Sequence, residues 1–248
     1  MTVWFARLVA VVGLVLTACT APPTGTPTPP ATPAIVRVAT SDLGETLVAD
    51  LVAGFHEAQR DVVVVVVPIA PDAAPPDLIV GADRGVSSAG FRTPLGGTTL
   101  VPVVASSFAA PEVSAAQLGA LLSGAIADWS QVGGSAGSVV VVSRDSGAES
   151  AALIAERLGV AALVPEARLV PDWPTARLAI AQTPGALGLL PKAEITTDVR
   201  VLSAGPALTV TLEARASAEP SGPARAFLAW AQSPEGQGVV AKRHAALP

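Results

Sequence analysis

From residue 35 onward, apolar positions along the chain alternate between two periods. Ile35 to Ala39 is a short β-rich run. Leu43 to Gln59 follows with Leu47, Leu51, Val52 and Phe55 at helical spacing, which predicts a helix with one apolar face. Asp42 and Glu45 stand where a capping box would open it. Val62 to Val67 is an unbroken β-branched run, the composition of a strand buried on both faces. Asp77 to Gly81 reads DLIVG, another strand, and Thr98 to Ala105 is an extended segment suited to cross between two lobes.

The alternation continues downstream. Ser114 to Ser123 is predicted as a helix, with Ser114 and Gln117 as its capping box. Val139 to Ser143 is a strand, and Ser146 to Leu158 is a helix with Ser146 and Glu149 as a further box. Pro174 to Gln182 is a helix with proline in its first turn. Strands are expected at Ala186 to Leu190, Val199 to Leu202 and Leu208 to Leu212, and an amphipathic helix at Pro223 to Gln232. Ser233 to Gly238 opens a last short helix. This succession is that of an α/β protein.

The first 34 residues differ in kind. Arg7 precedes an apolar run, Leu8 to Leu16, too short to span a bilayer but matching the hydrophobic region of a secretory signal. The run ends Leu16-Thr17-Ala18-Cys19. This resembles the bacterial lipobox, which implies cleavage before Cys19 and lipidation of its thiol. Residues 1–18 are then a signal peptide. Residues 19–34, rich in proline and threonine, form a tether of roughly 45 Å that cannot build a core. The expected location is extracytoplasmic, anchored to the cell membrane by lipid.

Composition narrows the chemistry. The 248 residues carry a formal net charge of -5, which argues against a nucleic-acid partner. The single cysteine excludes an intrachain disulfide and a polythiolate zinc site. His56 and His244 are the two histidines. His56 lies in a predicted helix without a second metal ligand at HExxH spacing, and His244 sits beside Lys242 and Arg243 as a solvated residue. No nucleophile elbow or Walker A loop is present. No catalytic role, cofactor or metal is expected. Trp129, Trp173 and Trp230 are expected in packing rather than ligand stacking.

Several segments resemble, in order, the phosphate-type extracytoplasmic solute-binding proteins of ABC transporters. LGALLSGAIADWSQVGG at residues 118–134 matches a leucine-rich helix followed by G-x-I-x-x-W, here Gly124, Ile126 and Trp129. VVVVSRDSGAES at 139–150 is similar to a strand ending in R-x-x-G-S-G-T. TPGALGLLP at 183–191 and the closing FLAWAQSPEGQGVVAKRHAALP complete the set, with VRVATSDLGETLVADLVAGFHEAQRDVVVVVV at the beginning. The resemblance implies a type II periplasmic-binding-protein-like fold. Two lobes, 35–100 plus 197–248 and 101–196, would be hinged around a ligand cleft. It further implies a monomer that carries a small oxyanion, phosphate first, to a membrane permease.

By the same resemblance, the ligand-binding residues are Thr40, Ser41, Asp83, Arg144, Ser146 and Gly147. Helix N-termini and hydroxyls would replace the water of an anion, and Arg144 would add a forked charge. Other roles fit the same residues. Arg144 suits a salt bridge, Ser41 and Ser146 suit helix caps, and Asp83 suits a pair with Arg84. Two threonines of the family pattern are replaced by Leu43 and Ala148. Asp42, Glu45 and Glu149 bring negative charge to both helix starts. At about 4 Å a carboxylate opposes a bound anion by about 1 kcal/mol in water and several at lower dielectric. These departures define an alternative: a sensor or interaction lipoprotein of the same fold, with another ligand or a degenerate site.

Overall fold

The computed structural model describes residues 33–248 apart from 70–73, 86–89, 146–147 and 206. The lipobox cysteine, Cys19, the signal peptide and nearly all of the tether lie outside the described residues. So do Ser146 and Gly147. Residues 33–248 form one compact unit. Among the described residues no helix is long and apolar enough to cross a membrane.

Strands and helices alternate as expected. β1 (Ala34–Thr40) leads through a 3-10 turn (Asp42–Gly44) into α1 (Glu45–Ala58), then β2 (Val62–Val66) and β3 (Leu78–Ala82). β4 (Phe91–Ala105) is followed by α2 (Ala115–Leu122), β5 (Val140–Arg144), α3 (Glu149–Leu158), β6 (Arg168–Val170), α4 (Trp173–Gln182) and β7 (Ala186–Pro191). β8 (Val199–Val201), β9 (Leu208–Ala216), α5 (Gly222–Ala231) and α6 (Pro234–Val240) finish the chain. The strands form one nine-stranded mixed sheet in the order β2-β1-β3-β9-β4-β7-β5-β6, with β8 beside β4.

The 15-residue β4 makes this one sheet rather than two. Its first part, Phe91 to Leu100, pairs antiparallel with β9, while Leu100 to Val104 pairs with β7 and Val103 to Ala105 with β8. Its early part carries the glycine-rich stretch Pro94-Leu95-Gly96-Gly97, where the register shifts. Gly96 has φ +152, and a Cβ there would stand 2.9 Å from the Val240 side chain and 3.1 Å from the Ala245 carbonyl. Glycine therefore lets β4 bend while the C-terminal segment lies against it.

The apolar periodicity places the core. Leu47, Val48, Leu51 and Phe55 of α1 are buried, and Phe55 meets Phe227 and Trp230 edge-on at 5.3 and 5.6 Å. Trp129 is fully buried, with its indole N–H donating to the Gly185 carbonyl at 3.0 Å. The three tryptophans named above are all buried. Two expectations are corrected. The valine run of β2 is not buried on both faces: it is the edge strand, and Val64 alone of its five residues is buried. His244 is not solvated; its side chain is 1% exposed and its Nε2 lies 2.9 Å from Asp50. α1 offers a carboxylate there, and the C-terminal segment folds back onto it.

Candidate functional site

The carboxyl ends of β1, β3 and β5 converge with the starts of α1 and α3. In α/β sheets such a place gathers free helix N–H groups and loop side chains, and so favours ligands. A cavity of about 550 Å³ opens here, lined by Ser41, Glu45, Gly81, Arg144, Asp145 and Glu149 among others. Its donors are mostly engaged within the chain.

Arg144, the last residue of β5, is 8% exposed. Its Nη1 donates to Glu45 Oε2 at 2.8 Å and its Nη2 to Glu45 Oε1 at 2.9 Å. This is the parallel two-bond geometry that guanidinium offers to any carboxylate or phosphate. The guanidinium carbon lies 4.9 Å from the Trp173 ring centroid, close enough for a cation–π contact. Burial by itself would lower the Arg144 pKa. The hydrogen bonds to Glu45 and the charges of Glu45, Asp42 and Asp172 outweigh it and raise the pKa above its ordinary value, so the side chain stays cationic.

The other donors are met in a similar way. Asp42, 8% exposed, accepts the Ser150 backbone N–H at 3.2 and 3.4 Å through its two oxygens. Ser150 lies in the first turn of α3, where helix N–H groups lack internal acceptors. The Asp42 carbonyl accepts the Trp173 indole N–H at 2.8 Å. From α3, Glu149 reaches the other way: its Oε2 accepts the Ala82 N–H at 2.9 Å, and its Oε1 lies 3.4 Å from Arg84 Nε. Gly81 makes room for this, because a Cβ there would lie 3.2 Å from Glu149 Oε2 and 3.1 Å from Arg215 Nη2.

Of the three described candidate ligand residues besides Arg144, Thr40 and Asp83 make local contacts. The Thr40 hydroxyl donates to the Ser41 carbonyl at 2.9 Å. Asp83 accepts the Gly85 N–H at 2.8 Å in a turn, and Arg84 pairs with Glu149 rather than with Asp83. Ser41 lines the cavity but makes no side-chain cap; its Oγ is buried without a hydrogen-bond partner among the described residues, as is Arg144 Nε. Ser41 and Arg144 therefore share one cavity, and Thr40 and Asp83 do not line it.

The two boxes expected at this cleft are corrected. Asp42 and Glu45 do not cap α1 through their side chains; they reach toward α3 and β5. α3 starts at Glu149, with Ala148 in the capping position, and Glu149 turns to β3. A carboxylate in a first helical turn looks the same in sequence whether it serves its own helix dipole or a distant donor. Trp173 was missed as a site residue for a similar reason, since aspartate, tryptophan and proline at a helix start read as a cap and a core side chain.

No protein-family model matches the chain, and no curated protein matches it in sequence. Solved structures do match in three dimensions. A Clostridium perfringens protein assigned as a phosphate ABC transporter substrate-binding protein, solved with phosphate bound, superposes with a TM-score of 0.76 at 16% identity, over 86% of this chain and 99% of that one. An ABC-type phosphate transport receptor from Vibrio cholerae gives 0.68 at 14% identity, over 86% and 100%. The reduced OxyR regulatory domain of Pseudomonas aeruginosa gives 0.57 at 14%, over 81% and 98%. These neighbours are binding proteins and regulatory domains, and what they share with this chain is architecture. The chain has the type II periplasmic-binding-protein fold.

Proposed function

We propose that this chain is an extracytoplasmic recognition lipoprotein whose cleft is held by its own carboxylates instead of by a captured oxyanion. The observation that carries this is the two-bond pair between Arg144 and Glu45. Phosphate and carboxylate compete for the same donors. A solute reaching Arg144 would have to displace a tethered competitor held at high effective concentration. Asp42 adds a second internal acceptor at the start of α3. On this reading the lobes are residues 35–100 plus 197–248 and residues 101–196, Cys19 carries the lipid, and the domain acts as a sensor or interaction module.

A second reading is favoured by the Clostridium perfringens neighbour with its bound phosphate. Here the chain is a receptor that delivers phosphate to a membrane permease, with Arg144, Ser41, Ser146 and Gly147 on the anion, and Thr40 and Asp83 nearby. Calorimetry on residues 33–248 separates the two. The first reading expects no Arg144-dependent heat with phosphate, sulfate or molybdate: wild type and Arg144→Ala should titrate alike up to the millimolar range. Micromolar phosphate binding that Arg144→Ala abolishes would overturn it and establish the second. For anchoring, Cys19→Ser is expected to release the protein or leave the precursor uncut. Correctly processed protein retained on the membrane would defeat the lipobox assignment.

A further inference from the structure

We propose that a second pocket, on a different part of the chain from the cleft, binds a small soluble dianion. It measures about 540 Å³ and is lined by Thr99, Lys192, Lys242, Arg243 and His244 with neighbouring alanine and isoleucine side chains. The inference is independent of how the cleft is read.

The charge distribution is the first argument. The chain has a net charge of -5 and its cations are nearly all arginine; Lys192 and Lys242 are its two lysines. Both line this pocket, although they lie 50 positions apart in sequence. The second argument is what the local acids do. Asp50 accepts from Arg243 at 3.0 Å and faces His244, and Glu194 lies 3.7 Å from Arg243. Arg243 also donates to the Ala193 carbonyl. These acids are therefore taken up by the guanidinium and the imidazole. Neither lysine ammonium has an ion-pair partner among the described residues. Two strongly hydrated point charges without ion-pair partners, in a pocket also lined by Thr99, whose hydroxyl lies 3.1 Å from that of Thr209, suit a compact ligand of charge two, a phosphate or a short dicarboxylate.

The position gives such a ligand leverage. Thr99 precedes Leu100, and Lys192 follows Pro191; Leu100 and Pro191 are the first register pair of β4 with β7. Across the pocket, Ala245 bridges to Gly97 of β4. A dianion here would join the outgoing strand, the returning strand and the C-terminal segment where the two parts of the sheet meet.

The test is calorimetry with inorganic phosphate and with succinate, using acetate as the single-charge control. It compares residues 33–248 with the K192Q/K242Q and K192R/K242R variants, all checked for equal melting temperature. Both dianions should bind wild type more tightly than acetate, with about a tenfold loss in K192Q/K242Q, the sum of two exposed charge contacts. K192R/K242R should retain most of the affinity, and added salt should weaken it. Nuclear magnetic resonance shifts should centre on Thr99 and His244. Absence of binding to either dianion, or binding that K192Q/K242Q leaves unchanged, overturns the proposal. Lysine-dependent sedimentation with anionic phospholipid vesicles, without binding of the soluble dianions, would overturn it in favour of a membrane-facing patch.

Discussion

Glu45 illustrates how much one side chain decides. It is 38% exposed while Arg144 is 8% exposed, so the two partners do not lose equally when the pair is broken. Removing the arginine leaves a carboxylate that water can still reach. Removing the glutamate leaves a buried guanidinium over Trp173. Breaking a fully buried pair costs about 3 to 5 kcal/mol, but water screens the exposed glutamate. Glu45→Ala should therefore destabilise the protein by about 1 to 2 kcal/mol in urea unfolding. It should also make stability respond to phosphate or sulfate more strongly than that of wild type, because Arg144 regains two donors that an anion can fill. A Glu45→Ala variant whose melting temperature responds to phosphate no more than that of wild type would show that the carboxylate is not standing in for an anion.

His244 makes a separate prediction with its own sign. Burial lowers its pKa below 6.5, and the hydrogen bond and charge of Asp50 oppose that without reversing it. The unfolded chain therefore takes up a proton at higher pH than the folded chain does. The stabilising contribution is complete above pH 6.5 and is lost as the pH falls below it. In His244→Asn, the drop in unfolding free energy between about pH 7.5 and about 5.5 should be smaller than in wild type. An equal drop in both proteins would refute the assignment. Hydrogen bonds from Ser130, Thr175 and Thr196 hold the Asp128, Asp172 and Asp198 carboxyls below the ordinary carboxylate range, away from this window.

The strands and helices themselves were largely legible, and the failures have physical causes. The strand expected at Val139 to Ser143 lies one residue on, at Val140–Arg144, and the α1 face is buried as its period predicts, because burial imposes a period. The capping box of α2 was also legible, since both of its hydrogen bonds, Ser114 with Gln117 and the reverse, are local. β6 went unread because it has three residues and a half-exposed Leu169, too short for any period to show. β4 was read from Thr98, seven residues late. Its first part contains proline and two glycines, which look like a loop, and pairing with β9 overrides that composition. Gly96 tests the point. Gly96→Ala combines a φ of +152 with a 2.9 Å contact to Val240; it should cost about 1 to 3 kcal/mol by thermal or urea unfolding. A loss below a few tenths would mean that β4 does not need its bend. The candidate site was only partly legible: the sequence put Arg144 at a strand end before a helix and flagged Asp42, Glu45 and Glu149 as negative charges, but it could not show that these acids meet donors across the cavity.

For the molecule as a whole, these contacts join segments on opposite ends of the sheet path. β1, the 3-10 turn and β3 lie toward one end, and β5, α3 and α4 toward the other. Glu45 with Arg144, Asp42 with Ser150 and with Trp173, and Glu149 with Ala82 tie them directly. A binding protein of hinged lobes uses a ligand to make such ties, because the ligand contacts both lobes only in the closed form. Here the ties are internal, so the closed form should already dominate and phosphate should have little left to shift. Small-angle scattering on residues 33–248 should give the same radius of gyration with and without millimolar phosphate. The Asp42→Asn, Glu45→Ala double variant should expand, and hydrogen exchange should quicken at Ala82 and Ser150. If the unmodified protein instead contracts when phosphate is added, the ties are not holding it shut, and the carboxylates are bystanders of an ordinary ligand-driven closure.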